Sequence, residues 1–134
     1  MTYLLDTNDW IEFLNKPNGV LAKKVASYVP SDIVLTSVTL SELLVGVYKS
    51  SQPAANLALI QQLMAQFVCL SFDAVSADHY ARLRAHLESI GLPIGPHDTQ
   101  IAAIVKQHAL TVVTHDSAEF SRVPGLVVED WLIP

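Results

Sequence analysis

The chain has 134 residues, of which 51% are hydrophobic, so we expect one compact domain over residues 1–134 with a sizeable core. Its formal net charge of −5 at pH 7 argues against a general nucleic-acid-binding protein, because contacts to phosphate need Lys and Arg. The same charge is compatible with clustered acids that divalent cations neutralise.

Three features predict a cytoplasmic protein. The single cysteine, Cys69, excludes an internal disulfide and fits a reducing compartment. Met1 leads into a strand-like segment without a basic leader, so we expect no secretory signal. The apolar runs are far shorter than the ~20 residues that a membrane-spanning helix needs, so we expect no membrane association.

Strand-like and helix-like segments alternate along the chain. The strand-like segments are continuous apolar runs, a pattern typical of a parallel sheet buried on both faces. The sequence therefore predicts an α/β, Rossmann-like fold with a central parallel sheet of four to five strands and helices on both faces. Predicted strands cover residues 2–5, 33–37, 68–72, 110–114 and 126–128, and predicted helices cover 9–14, 20–29, 38–49, 54–67, 74–90 and 97–109.

Helical spacing also predicts which side chains are buried. Ile90 and His108 fall on the apolar stripes of the helices predicted at 74–90 and 97–109, and Asp73 is a good N-cap for the first of these. Leu59 and Leu63 widen the apolar surface of the helix at 54–67 beyond its main stripe. That width predicts either deep burial or a surface for a partner protein.

Four acidic residues stand at similar positions relative to the predicted strands. Asp6 and Asp116 directly follow strands, Glu42 lies about one turn into the helix after the second strand, and Asp98 opens a helix after a loop. Ligands of open α/β sheets bind outside the carboxyl ends of the strands. All four carboxylates can therefore face one crevice.

Carboxylates gathered in one crevice point to a hard divalent cation. Oxygen ligands suit Mg²⁺ or Mn²⁺, and two such ions can activate water and stabilise the departing oxygen of a phosphodiester. Each acid alone has a simpler interpretation: Asp6 and Asp98 could cap helices, Glu42 could face solvent, and Asp116 could belong to a turn. The four together favour a shared site.

With these residues placed, the chain resembles a PIN-domain protein, specifically a VapC-type toxin ribonuclease of a bacterial toxin–antitoxin pair. The resemblance covers essentially the whole chain, and its four segments occur in order at specific separations. The segments are LLDTN at 4–8, TLSELLVGV at 39–47, IGPHDTQIAA at 94–103, and VTHDSAEF at 113–120 with RVPGL at 122–126.

The resemblance implies an endoribonuclease that depends on Mg²⁺ or Mn²⁺ and leaves a 5′-phosphate. Glu42 would orient the attacking water, and the polar neighbours of the site would be Thr7, Asn8 and Thr114. It also implies a homodimer held inactive by a cognate VapB-type antitoxin. The acids that it assigns to the cation are Asp6, Asp98 and either Asp116 or Glu119.

Two departures from the family pattern affect the site. Many relatives carry Asn where Asp116 stands, with an acid three positions later, which here is Glu119; the pattern of this chain favours Asp116. His97 and His115 each precede a proposed acid, and each could contact RNA phosphate or simply face solvent. Asp9 is interpreted as an early helix residue favoured by the helix dipole.

Two other functions remain open at this point. A small-molecule phosphohydrolase also uses acids at strand ends, but its aspartyl-phosphate type needs an Asp where Asn8 stands. A non-catalytic PIN-like interaction domain is the alternative from another class, and it would have lost at least one of the four acids. Lys23–Lys24 and Arg82 with Arg84 are the basic clusters available for RNA phosphate or for solvent alone.

Overall fold

The computed structural model describes residues 1–133, in which a parallel sheet is covered by helices on both faces. Two short 3₁₀ helices, Pro30–Asp32 and Phe120–Arg122, lie in its connections. The strands are β1 (Tyr3–Leu5), β2 (Ile33–Thr36), β3 (Val68–Leu70), β4 (Thr111–Val113) and β5 (Val127–Glu129). The helices are α1 (Thr7–Asn15), α2 (Val20–Ala26), α3 (Ser37–Lys49), α4 (Pro53–Gln66), α5 (Ala74–Ser89) and α6 (Pro96–His108).

All five strands run parallel in the order β3-β2-β1-β4-β5. The first strand is therefore central, with Leu4 paired to Val34 on one side and to Val112 on the other. The chain order reverses direction on either side of β1, which creates the crevice in which open α/β sheets bind ligands. The predicted fold class is confirmed.

Several predicted boundaries shift because polar side chains cap the helices. The hydroxyl of Thr36 accepts a hydrogen bond from the backbone N–H of Thr39, so α3 begins at Ser37 and β2 is one residue shorter than predicted. The carboxylate of Asp6 likewise caps α1, which begins at Thr7 rather than at Asp9. Strands β3 and β4 are also shorter than predicted and end at Leu70 and Val113.

Two hydrophobic clusters cover the two faces of the sheet. Helices α5 and α6 pack on one face through residues such as Leu87 and Ile104, and α1 to α4 cover the other around Trp10. Asp73 caps α5 as predicted. None of the helices within residues 1–133 is long and apolar enough to cross a membrane.

The structure decides between the two alternatives left open for α4, and two burial predictions need correction. Leu63 is buried at 3% exposure in the cluster around Trp10, so only Leu59, at 46%, extends the apolar surface of α4 to solvent. His108 is exposed, because the last turn of α6 extends past the sheet. Ile90 is also exposed, since it follows the end of α5 rather than continuing its buried face.

Candidate active site

Asp6 lies at the carboxyl end of the central strand β1 and is only 6% exposed. Its Oδ1 accepts a hydrogen bond from the N–H of Asp9 at 2.8 Å, which caps α1, and its Oδ2 accepts one from the hydroxyl of Thr114 at 2.5 Å. Burial raises the pKa of Asp6 above its ordinary value, although these hydrogen bonds act in the opposite direction. Asp6 is thus a buried carboxyl group held on both oxygens.

Glu42 reaches the same edge of the sheet from α3. Its Oε1 accepts a hydrogen bond from the hydroxyl of Thr7 at 2.7 Å, and that hydroxyl also lies 3.0 Å from the hydroxyl of Thr39. The other oxygen, Oε2, lies 3.3 Å from Nδ1 of His97 at the start of α6. A neutral hydroxyl and an imidazole therefore fix the orientation of Glu42 between α1 and α6.

Asp98 and Glu119 form a directly hydrogen-bonded pair of carboxyl groups. Burial, the hydrogen bond to Glu119 and the negative charges of Glu119, Asp6 and Glu42 raise the pKa of Asp98 to about 8. The pKa of Glu119 is lowered, because it accepts this hydrogen bond and a second one from the N–H of Gly95 at 3.1 Å. Near neutral pH the protein alone holds a proton between these two groups.

Asp116 is exposed. Its negative charge contributes to the raised pKa of Asp6, and its backbone carbonyl accepts a hydrogen bond from Thr114 at 3.1 Å. Asp116 and Glu119, the two candidates for the fourth acid of the cation site, therefore both border the cluster. Glu119 contacts Asp98, whereas Asp116 acts on Asp6.

Of the other residues predicted at the site, some contact its acids and others face solvent. Thr7 and Thr114 donate to two different acids of the cluster, as described above. The side chain of Asn8 is exposed and takes part in none of the hydrogen bonds found within residues 1–133. His115 is exposed at 62% and its Nδ1 lies 3.0 Å from Oδ2 of Asp130.

Asp9 has a larger part in the site than its sequence position indicated. It lies in the first turn of α1, as interpreted, but it is buried at 1% exposure and its Oδ1 accepts a hydrogen bond from the N–H of His115 at 3.2 Å. Its Oδ2 is buried and has no hydrogen-bond partner among residues 1–133. Burial and the neighbouring charge of Asp6 raise the pKa of Asp9 to about 7. No sequence signal indicated this burial, because Asp9 is a charged residue that follows the polar Asn8.

The donor set fits a hard divalent cation in its chemistry. The acids present only oxygen ligands, which Mg²⁺ and Mn²⁺ prefer, and burial together with the neighbouring acids raises the pKa of Asp98. Within residues 1–133, no three side chains of Asp, Glu, His or Cys stand close enough to share one ion. Thr7, Thr114 and the Asp98–Glu119 hydrogen bond instead hold the acids one by one or in pairs.

Comparison with known proteins assigns this arrangement to a family. The model of the PIN domain matches residues 3–126, which include every acid of the cluster. The chain belongs to the PIN-domain family. Within it the chain is of the VapC type: it is 38% identical over 132 residues to the tRNA(fMet)-specific endonuclease VapC of Shigella flexneri, with 98% of each chain covered.

Solved structures of PIN-domain proteins have the same architecture. The DNA-bound VapBC complex of Salmonella typhimurium contains a chain that matches with a TM-score of 0.91 and 34% identity, covering 98% of both chains. A chain of VapBC2 from Rickettsia felis, bound to a promoter DNA fragment, matches with a TM-score of 0.90 and 31% identity, covering 98% of this chain and 99% of that one. The PIN fold expected from the four sequence segments is thus confirmed over nearly the whole chain.

Proposed function

We propose that this chain is the toxin of a VapBC-type pair and a cytoplasmic endoribonuclease that depends on Mg²⁺ or Mn²⁺. The observation that carries the proposal is the Asp98 carboxyl group, whose burial beside Glu119, Asp6 and Glu42 raises its pKa to about 8. Such crowding of carboxyl groups is costly unless a proton or a cation compensates it. The ribonuclease names of the VapC relatives support the same reaction class.

The residues of the cluster divide into two roles. Asp6 and Asp98 would hold the cation, and Glu119 or Asp116 would complete the set. Glu42 would orient the attacking water, since Thr7 and His97 fix its two oxygens. A bound cation would supply activation of water and stabilisation of the charge on the phosphate. Because no ribose hydroxyl is needed as nucleophile, the expected product carries a 5′-phosphate.

The two alternative functions have less support. A phosphohydrolase of the aspartyl-phosphate type needs a second Asp two positions after the first, and the exposed Asn8 stands at that position. A non-catalytic interaction domain has no need for Thr7 and Thr114 to orient acids at the strand ends. Retention of these contacts together with all four acids favours catalysis.

The direct test is cleavage of a mixed RNA pool by the purified protein in magnesium, in manganese and in EDTA. Asp98→Asn removes one acid of the cluster, and Asp78→Asn is the matched control because Asp78 is an exposed acid on α5 paired with Arg82. We expect metal-dependent cleavage by the wild type and the control, with more than about 100-fold less by Asp98→Asn. Folded wild type that cuts no RNA at any metal concentration, or cyclic-phosphate ends formed in EDTA, would contradict the proposal.

We also propose a VapB-type antitoxin as the protein partner, with a homodimer as the toxin's own assembly. Support comes from relatives solved as VapBC complexes and from an apolar groove between α1, α3 and α4. Ile11 and Leu59 border that groove and are 40% and 46% exposed. Leu59 is the exposed one of the two α4 residues from which the sequence predicted either burial or a partner surface.

Co-expression with a VapB-type antitoxin tests this partner. The antitoxin should neutralise the wild type, and Leu59→Glu should weaken the complex, because a charge would be desolvated in the groove. Val68→Glu, an exposed substitution on β3 outside the groove, is the control. Light scattering after size-exclusion chromatography measures the mass of the toxin alone, and a monomer at all concentrations would exclude the homodimer.

A further inference from the structure

A cleft of about 350 Å³ lies between α5 and the first turn of α6, the turn that carries Asp98. Pro96 and Thr99 line it from α6, where they flank Asp98 in the same helical turn. The volume is at the lower end of the range of about 300–1,000 Å³ for small-ligand pockets. The other lining residues are Tyr80, Arg84, Leu87, Glu88, Pro93 and Ile94.

The polar side chains of the cleft form hydrogen bonds with one another, but some of their donors and acceptors stay free. Arg84 donates through Nε to Oε1 of Glu88 at 2.8 Å and through Nη1 to the hydroxyl of Tyr80 at 3.0 Å. A guanidinium carries five N–H donors, so three remain for a ligand. Oε2 of Glu88 accepts none of the hydrogen bonds found within residues 1–133. Free donors and a free acceptor therefore stand side by side.

The walls of the cleft are flat, and contacts outside it hold them. The ring of Tyr80 packs edge-on against Phe72, with centroids 6.0 Å apart and an interplanar angle of 85°. Nη1 of Arg122 donates to the carbonyl of Pro93 at 2.8 Å and so fixes the opposite rim. An aromatic ring, prolines and a held guanidinium form the kind of surface on which unpaired RNA bases stack.

We propose that this cleft binds one unpaired base of the RNA next to the cleaved phosphate, and that it prefers guanine. Guanine offers acceptors at O6 and N7 for the free donors of Arg84, and its N1–H and amino group can donate to Glu88. Adenine, cytosine and uracil do not present acceptors and donors in this combination. The proposal rests on the ribonuclease function proposed above and adds a specificity subsite to it.

The experiment sequences the ends that the protein produces from a random single-stranded RNA pool in magnesium. The variants are Arg84→Ala and Glu88→Gln, with Arg82→Ala as the matched control. Arg82 is on the same helix, but it pairs with Asp78 at 2.9 Å and lines a separate cleft with His79. All three substitutions are at exposed positions, and thermal unfolding verifies that each variant is folded.

We expect the wild type to enrich guanine at one fixed position within a few nucleotides of the cut. Arg84→Ala should lower that enrichment about tenfold. Glu88→Gln should also lower it, because the NH₂ group of the amide would replace a carboxylate acceptor opposite the N1–H of guanine. Arg82→Ala should retain it. The same base preference in all four proteins, or none in the wild type, would overturn the subsite. A change of oligomeric mass with Arg84→Ala would also overturn it, since the cleft would then be an interface between copies.

A binding measurement keeps the subsite testable if the wild type cuts no RNA. Fluorescent UUUGUUU and UUUUUUU are titrated with the wild type in EDTA and with Arg84→Ala. About tenfold tighter binding of the guanine-containing strand, lost in the variant, supports the subsite even if the cleavage assay fails. Equal binding of both strands rejects the subsite without bearing on cleavage.

Discussion

The two halves of the acidic cluster are held in different ways. Asp6 and Glu42 each accept a hydrogen bond from a threonine hydroxyl, Thr114 in one case and Thr7 in the other. Asp98 and Glu119 instead face each other directly, and burial together with this contact raises the pKa of Asp98 to about 8. If a cation binds as proposed, the hydroxyl contacts could persist, whereas the carboxyl pair would have to release its proton. The first pair of acids would then be oriented by hydroxyl groups, and the second pair would be the place of charge compensation.

The largest expected loss of RNA cleavage concerns the fourth acid of the cation site, for which Glu119 and Asp116 are the candidates. Glu119→Gln should lower RNA cleavage about 100-fold, because it replaces a carboxylate that contacts Asp98. Asp116→Asn should lower it about tenfold or less, since Asp116 is exposed and acts on Asp6 through its charge. Cleavage rates of the two variants under saturating magnesium make the comparison. A larger loss with Asp116→Asn than with Glu119→Gln would assign the fourth acid to Asp116, the residue favoured from sequence.

Thr114→Val should have the next largest effect. It leaves an oxygen of the buried Asp6 without its hydroxyl donor, which costs about 1–3 kcal/mol in the free energy of unfolding. Cleavage should fall about tenfold as Asp6 loses its orientation. Thr111→Val is the control, because within residues 1–133 the hydroxyl of this buried threonine on β4 donates only to the sulfur of Met1, at 3.4 Å. Equal losses in both variants would show that any buried hydroxyl on β4 matters.

Thr7→Val should lower cleavage by a smaller factor of about three to ten. Glu42 loses the hydrogen bond to Oε1 but keeps its contact with His97. Thr7→Ser retains a hydroxyl and should restore activity. Because the contact is partly buried, stability should change little. A Thr7→Val enzyme with wild-type activity would exclude this residue from orienting Glu42.

The smallest effect is a pH dependence of stability without metal. In the unfolded chain Asp98 loses its proton near its ordinary pKa of 3.8, whereas in the folded protein it keeps the proton up to about pH 8. Its contribution to stability is therefore complete below about pH 4 and is lost as the pH rises towards 8. Relative to Asp98→Asn, the wild type should lose about 2–4 °C of melting temperature between pH 5 and 8 in EDTA. Parallel melting curves for the two proteins would contradict the raised pKa.

Sequence reasoning located those parts of the site that depend on strand ends. Asp6 follows a central buried strand, Glu42 stands in the second turn of α3 and Asp98 in the first turn of α6, so their convergence follows from a parallel sheet. The contact of Glu119 with Asp98 depends on how the 3₁₀ turn at Phe120–Arg122 packs against Gly95, which no local pattern encodes. The burial of Asp9 also depends on a distant contact, with the loop at His115.

Calorimetry of Mn²⁺ binding at pH 7, in buffers of different ionisation enthalpy, tests the central claim most directly. If the cation replaces the proton held between Asp98 and Glu119, binding should release about one proton per site. Asp98→Asn should bind Mn²⁺ more weakly and release almost none. Binding by the wild type without proton release, or equal binding by both proteins, would contradict a cation site built on this carboxyl pair.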